Sequence, residues 1–138
     1  MTKIALIDGN NFYAACEQSL DPSLAGRPVV VLSNNDGCIV ARSTEARALG
    51  IKMGTPYGKV RHELKQLKVA IRSSNHSLYG DMSRRLMSLL KEHCEILEIY
   101  SIDEAFAQLN QTSEHERVKW ACKLRSQVRR DLGLTIAI

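Results

Sequence analysis

The sequence predicts an α+β fold: a βαββαβ unit whose first strand is separated from the rest by an inserted α/β segment. Three observations predict it. A short apolar strand, Ile4-Ala5-Leu6-Ile7, opens the chain and ends in Asp8. Two further apolar runs, Ile96 to Tyr100 and Ala105 to Leu109, flank Ser101-Ile102-Asp103-Glu104 like the arms of a hairpin. Helical apolar spacing precedes this hairpin and follows it, at Leu78, Met82, Leu86, Leu89 and Leu90 and again after Ser113.

In chain order, Lys3 to Asp8 reads as a buried strand, and Gly9-Asn10-Asn11 supplies a turn with Asn candidates for the helix N-cap. A helix is expected from Phe12 to Leu20, stopped by Asp21-Pro22, and Gly26-Arg27-Pro28 turns the chain into a second buried strand, Val29 to Leu32. Asn34-Asn35-Asp36-Gly37 is a turn signal, because these residues tolerate positive φ, and its hairpin partner is Cys38 to Ala41. Ser43 caps a short helix, Thr44 to Leu49, ending at Gly50. Thr55 as N-cap with Pro56 at the first helical position opens a helix with Val60, Leu64 and Leu67 on one face. Val69 to Arg72 reads as a strand, and Ser77 to Cys94 as the helix with the clearest apolar stripe. Ser113 with Glu116 is a capping-box pattern for a last helix lined by Val118, Cys122, Leu124 and Val128. Gly133 ends that helix before a final strand, Leu134 to Ile138.

Lifting out the segment from about residue 11 to residue 75 leaves strand, helix, strand, strand, helix, strand, the ferredoxin-like order. In its usual 4-1-3-2 arrangement the first and third strands are antiparallel neighbours. The end of the first then lies beside the start of the third, which brings Asp8 to Asp103 and Glu104. Three crowded acids repel one another and raise at least one pKa unless a cation sits among them. Oxygen ligands of this kind suit Mg²⁺, and two such ions roughly 4 Å apart serve phosphoryl transfer. The other reading is structural: Asp8 caps the next helix while Asp103 and Glu104 are solvated turn residues.

A chain of 138 residues is long enough for one core with a subordinate lobe. The net charge of +4 is compatible with a polyanionic partner, although Lys and Arg read as dispersed along the chain. Cys16, Cys38, Cys94 and Cys122 lack the spacing of a zinc site and read as free, buried thiols of a reducing compartment. With no signal-peptide pattern and no apolar run near the roughly 20 residues that cross a bilayer, a cytoplasmic protein without membrane contact is expected.

Ile-Asp-Gly-Asn-Asn-Phe-Tyr at 7–13, Gly-Arg-Pro-Val-Val-Val at 26–31, Ala-Arg-Ser-Thr-Glu-Ala-Arg at 41–47 and Tyr-Ser-Ile-Asp-Glu-Ala-Phe at 100–106 resemble the Y-family translesion DNA polymerases. Ser33-Asn34-Asn35-Asp36-Gly37-Cys38 is similar to the UmuC type, the catalytic subunit of bacterial DNA polymerase V. The resemblance implies error-prone, template-directed deoxynucleotidyl transfer past damage in an SOS-type response. It implies a palm at residues 1–10 and 76–138 and fingers at 11–75. Asp8, Asp103 and Glu104 would be the catalytic carboxylates and ligands of two Mg²⁺ ions, joined by the Gly9 carbonyl. Tyr13 matches the aromatic steric gate against ribose; read alone it is a half-buried helix aromatic. Asn11, Phe12, Thr44 and Arg47 would contact the incoming deoxynucleoside triphosphate, although Arg47 read alone is a solvated arginine.

Ala41 and Thr44 depart from the Thr and Tyr hydroxyls common in the wider family. The implied partners are primer-template DNA and, for a full-length protein, a UmuD-type accessory subunit, a RecA-type filament and a sliding clamp. The resemblance stops before the thumb and the DNA-gripping little finger, so the 138-residue chain alone is expected not to copy DNA. Two other readings stand beside this one. A truncated, non-catalytic homologue would bind nucleotide or partners. A palm-like nucleotide cyclase would share the acids but leave Tyr13 and the 41–47 motif unexplained.

Overall fold

The computed structural model describes residues 2–138, which divide into two compact units. The first unit comprises the chain up to Asn10 together with Ser77–Ile138. It contains β1 (Lys3–Gly9), α4 (His76–Lys91), β5 (Leu97–Ile99), β6 (Glu104–Leu109), α5 (Glu114–Leu132) and β7 (Ile136–Ala137). The second unit spans Asn11–His76. It contains α1 (Phe12–Leu20), β2 (Val29–Leu32), β3 (Ile39–Arg42), α2 (Thr44–Ala48), α3 (Tyr57–Gln66) and β4 (Ala70–Ser73).

In the first unit the sheet order is β5-β6-β1-β7, with every neighbouring pair antiparallel. Counted within the unit, that is the ferredoxin-like 4-1-3-2 order read from its other edge. β1 was expected to be buried throughout, yet only alternate residues are: Ala5 and Ile7 are buried, whereas Ile4 is 66% and Leu6 47% exposed. Side chains alternate across a strand, and an antiparallel sheet covered on one face leaves the other open. Ala105, Ala107 and Ile136 are buried, as are Tyr79, Leu86 and Leu90 of α4 and Leu124 and Val128 of α5.

Hydrogen bonds tie these helices into the unit. Ser83 Oγ donates to the Ile102 carbonyl at 2.5 Å, the Trp120 indole to the His93 carbonyl at 2.9 Å and Arg125 to the Ile136 carbonyl at 3.0 Å. Val118 and Cys122, expected to line α5, are exposed. Leu124 and Val128, expected on the same face, are buried, and Ala121 is half-buried beside them.

The second unit packs helices on a three-stranded sheet ordered β3-β2-β4, with β2 antiparallel to β3 and parallel to β4. All four β2 residues are buried, as a strand covered on both faces requires. Val30, Leu32, Ile39, Ala46, Leu64 and Val69 form its core, with Val60 packed partly against them. The expected Thr55 cap does not form. Thr55 Oγ1 donates to the Lys52 carbonyl at 2.8 Å, and Pro56 itself takes the N-cap position of α3. Of the expected α3 face, Leu64 is buried but Leu67 is exposed. Only Cys16 is buried among the four thiols, and none forms a disulfide.

Candidate metal centre

Asp8 is the penultimate residue of β1 and stands opposite Glu104, the first residue of β6, in the antiparallel register. Directly opposed residues share a face, so both carboxylates project from the open side of the sheet together with Leu6 and Phe106. Glu104 was expected within the turn; it lies in regular strand, and the pairing with Asp8 is what orients it. Asp103 occupies the turn just before, anchored by its own backbone: the Gly9 N–H donates to the Asp103 carbonyl at 2.8 Å. The turn is closed by Tyr100 and Ser101 N–H groups, which both donate to the Glu104 carbonyl, at 3.0 and 3.1 Å.

Ser101 did not stand out as a functional residue in the sequence. Its hydroxyl lies 2.9 Å from Glu104 Oε2 and 3.2 Å from Asp103 Oδ1, linking both side chains to the turn. The only available signal was its place inside the Tyr-Ser-Ile-Asp-Glu run.

Asp8 and Asp103 both sense the acids around them. Burial and then the Glu104 charge raise the Asp8 carboxyl above its ordinary value. Burial raises Asp103 as well, followed by the charges of Asp8 and Glu104, against a smaller opposing effect of its Ser101 hydrogen bond. Among the described residues, however, no three His, Cys, Asp or Glu side chains stand close enough to form a complete cage for an ion. The two observations differ in range: charge repulsion acts over many ångströms, whereas coordination needs oxygens within about 2.1 Å of Mg²⁺. The donor set fits a hard cation in kind, and its side chains would have to close onto one.

The remaining candidate residues lie in the second unit. Asn11 precedes α1 in the left-handed region, at φ 49, and makes no side-chain cap, contrary to the expectation for an Asn there. Its Nδ2 instead donates to Thr44 Oγ1 at 3.2 Å, so the starts of α1 and α2 are joined. Phe12 is buried and Tyr13 half-buried, their ring centroids 6.1 Å apart. Ser43 caps α2 as expected, its hydroxyl accepting from the Ala46 N–H at 3.2 Å, and Arg47 is exposed on that helix. Gln18 of α1 donates to Glu45 of α2 at 2.7 Å, a second tie between these helices.

The family described as impB/mucB/samB matches residues 7–138. The chain belongs to that family. It is 46% identical over 135 residues to Protein UmuC of Salmonella typhimurium and 33% identical over 136 residues to DNA polymerase IV 1 of Bacillus subtilis. These alignments cover 97% and 96% of this chain but 32% of each relative, so the chain spans about a third of the length of the curated relatives it matches. Among solved structures, the insertion ternary complex of Dbh DNA polymerase superposes with a TM-score of 0.87 at 26% identity, covering 99% of this chain and 41% of that one. DinB from Sulfolobus solfataricus gives 0.85 at 26% identity, over 99% of this chain and 40% of the other. Among the described residues no helix is long and apolar enough to cross a membrane.

Proposed function

We propose that this chain is the palm and fingers portion of an error-prone translesion DNA polymerase of the impB/mucB/samB family, with the first unit as palm and the second as fingers. The observation that carries the reading is the register of β1 with β6. It sets Asp8 opposite Glu104 and beside the Asp103 turn in a chain whose relatives include named DNA polymerases.

In this reading Asp8, Asp103, Glu104 and the Gly9 carbonyl would hold two Mg²⁺ ions. Mg²⁺ held there would supply Lewis acidity for phosphoryl transfer. Glu104 would lie near the primer hydroxyl, and the Ser101 hydroxyl, bonded to both carboxylates, would keep Asp103 and Glu104 in place. The amides at the start of α1, which the Asn11 side chain does not cap, face the triphosphate of an incoming deoxynucleotide. Tyr13 fills the space a ribose 2′-hydroxyl needs, and Phe12 supports the sugar. Thr44, held by Asn11, donates its hydroxyl proton to a phosphate oxygen, and Arg47 adds charge. Primer-template DNA is the macromolecular substrate. A UmuD-type subunit, a RecA-type filament and a sliding clamp are partners of the longer protein in the cytoplasm.

The test is the melting temperature of the chain with Mg²⁺ and a deoxynucleoside triphosphate, which rises through mass action if the site binds. The rise is expected to require both additions and to disappear in Asp103→Ala. A shift that survives that substitution would overturn the assignment of the acids, and no shift in the unsubstituted chain would overturn the nucleotide site.

A further inference from the structure

The net charge of the chain is not spread as the sequence suggested. Residues 11–76 carry nine Lys and Arg against five Asp and Glu, and the remaining residues carry ten of each, so the whole surplus of +4 belongs to the second unit. The acids of that unit are largely engaged. Asp21 pairs with Arg72 at 3.6 Å and accepts from Ser23, Glu45 accepts from Gln18, and Glu17 is buried.

Most arginines outside α3 are engaged as well. Arg117, Arg125 and Arg129 donate to the carbonyls of Thr112, Ile136 and Gly133, and Arg130 to the Asp131 carboxylate. Arg61, Lys65 and Lys68 are different: all three are exposed, and among the described residues their side chains have no hydrogen-bond or ion-pair partner. Arg61 and Lys65 lie one turn apart on the same side of α3, about 6 Å along its axis. Lys68 follows the helix end at φ 56, where the Arg27 guanidinium reaches its carbonyl at 3.4 Å and adds a fourth cation. The one acid in this stretch, Glu63, points to the far side of the helix.

We propose that this row, Arg61, Lys65 and Lys68 with Arg27 at its end, is a docking surface for the phosphate backbone of single-stranded DNA. The inference rests on the reading of the chain as part of a polymerase, for which DNA is the partner. Charge complementarity selects a polyanion, because among the described residues none of these cations has an acidic partner. The shape of the row selects a single strand. A flexible strand can follow one short convex helix edge phosphate by phosphate, whereas a stiff duplex, with a persistence length of about 50 nm, meets such an edge at only a contact or two. A dipole role alone, cations settling the C-terminal end of α3, would explain Lys65 and leave Arg61 idle.

The experiment measures fluorescence anisotropy of a labelled oligothymidylate of about 16 nucleotides, without Mg²⁺ or nucleotide, over a range of salt. It compares the unsubstituted chain with Arg61→Gln/Lys65→Gln/Lys68→Asn, where Asn keeps the left-handed backbone at 68. The slope of log K against log salt is expected to become shallower by about two, near 0.7 per lost phosphate contact, with the melting temperature unchanged. The control, Lys91→Gln/Lys119→Gln/Lys123→Gln, removes the same charge from exposed lysines of the first unit and is expected to leave the slope intact. Absence of salt-dependent binding, equal loss in the control, tighter binding of a duplex, or equal competition by poly-glutamate would each overturn the proposal. None of these outcomes touches the Mg²⁺-dependent nucleotide test, so the two readings fail separately.

Discussion

The pattern Ser-x-x-Glu occurs at Ser101–Glu104 and again at Ser113–Glu116, and the two copies have opposite consequences. At the second, the Ser113 hydroxyl accepts from the Glu116 N–H at 3.1 Å, and the Glu116 carboxylate accepts from the N–H groups of Thr112 and Ser113 at 3.2 and 3.4 Å. Those donors hold the Glu116 carboxyl below its ordinary value, the Ser113 backbone first among them. At the first copy the serine hydroxyl is shared between two carboxylates, and Glu104 runs into a strand facing a third. Burial and the neighbouring charges then raise Asp103 and Asp8. Four residues of local chemistry therefore do not decide whether an acid is satisfied; what lies across the sheet does.

The contrast is broken most severely by Asp103→Ala in a polymerase carrying this segment. Nucleotide incorporation should fall by more than about a hundredfold, the scale seen for losing one electrostatic contact to a transition state, with the fold intact by circular dichroism. Incorporation within a few-fold of the unsubstituted enzyme would remove Asp103 from the site.

Next in size is Ser113→Ala, which deletes a helix cap and should cost about 1 kcal/mol in denaturant unfolding. Ser101→Ala caps no helix, and its stability should change by less than about 0.5 kcal/mol. Equal costs would mean that the two turns play the same structural part.

The acid sites also predict opposite pH dependences. Stability contributed by Glu116 is present above its ordinary 4.5 and lost as pH falls through its lower folded value. Asp8 and Asp103 are raised, so their contribution is present below the ordinary 3.8 and lost as pH rises through their folded values. Without Mg²⁺, Asp103→Asn should therefore melt higher than the unsubstituted chain near pH 7. The gap should close as pH falls below 3.8 and should narrow when Mg²⁺ is added. A gap independent of pH would mean that the acids do not repel one another in the folded chain. The smallest effect concerns Glu116→Gln, which keeps a hydrogen-bond acceptor at the cap and should shift the melting temperature by only a degree or two.

Much of the fold was legible because its signals are local. Phe12–Leu20, Val29–Leu32 and the capping box of α5 occur where turn residues and apolar periods put them. The failures share a cause. Asn11 was read as a cap from its residue type, but its backbone is left-handed at φ 49 and its side chain is turned to Thr44, 33 positions away. Ile4 and Leu6 were read as core because β1 is uniformly apolar, and only the covering of one sheet face shows that half of it is open.

The sequence by itself determined where most strands and helices run, that Asp8 lies at the end of β1 and Asp103 just before β6, and that Ser113 with Glu116 starts a helix. Those depend on contacts within a few residues, which any window of the chain contains. Only the tertiary structure decided that Glu104 faces Asp8, that Ser101 serves two carboxylates, and that the side chains of Arg61, Lys65 and Lys68 stay exposed. Those depend on register and exposure, set by pairing strands far apart in the chain, and neither is written in any short stretch of residues.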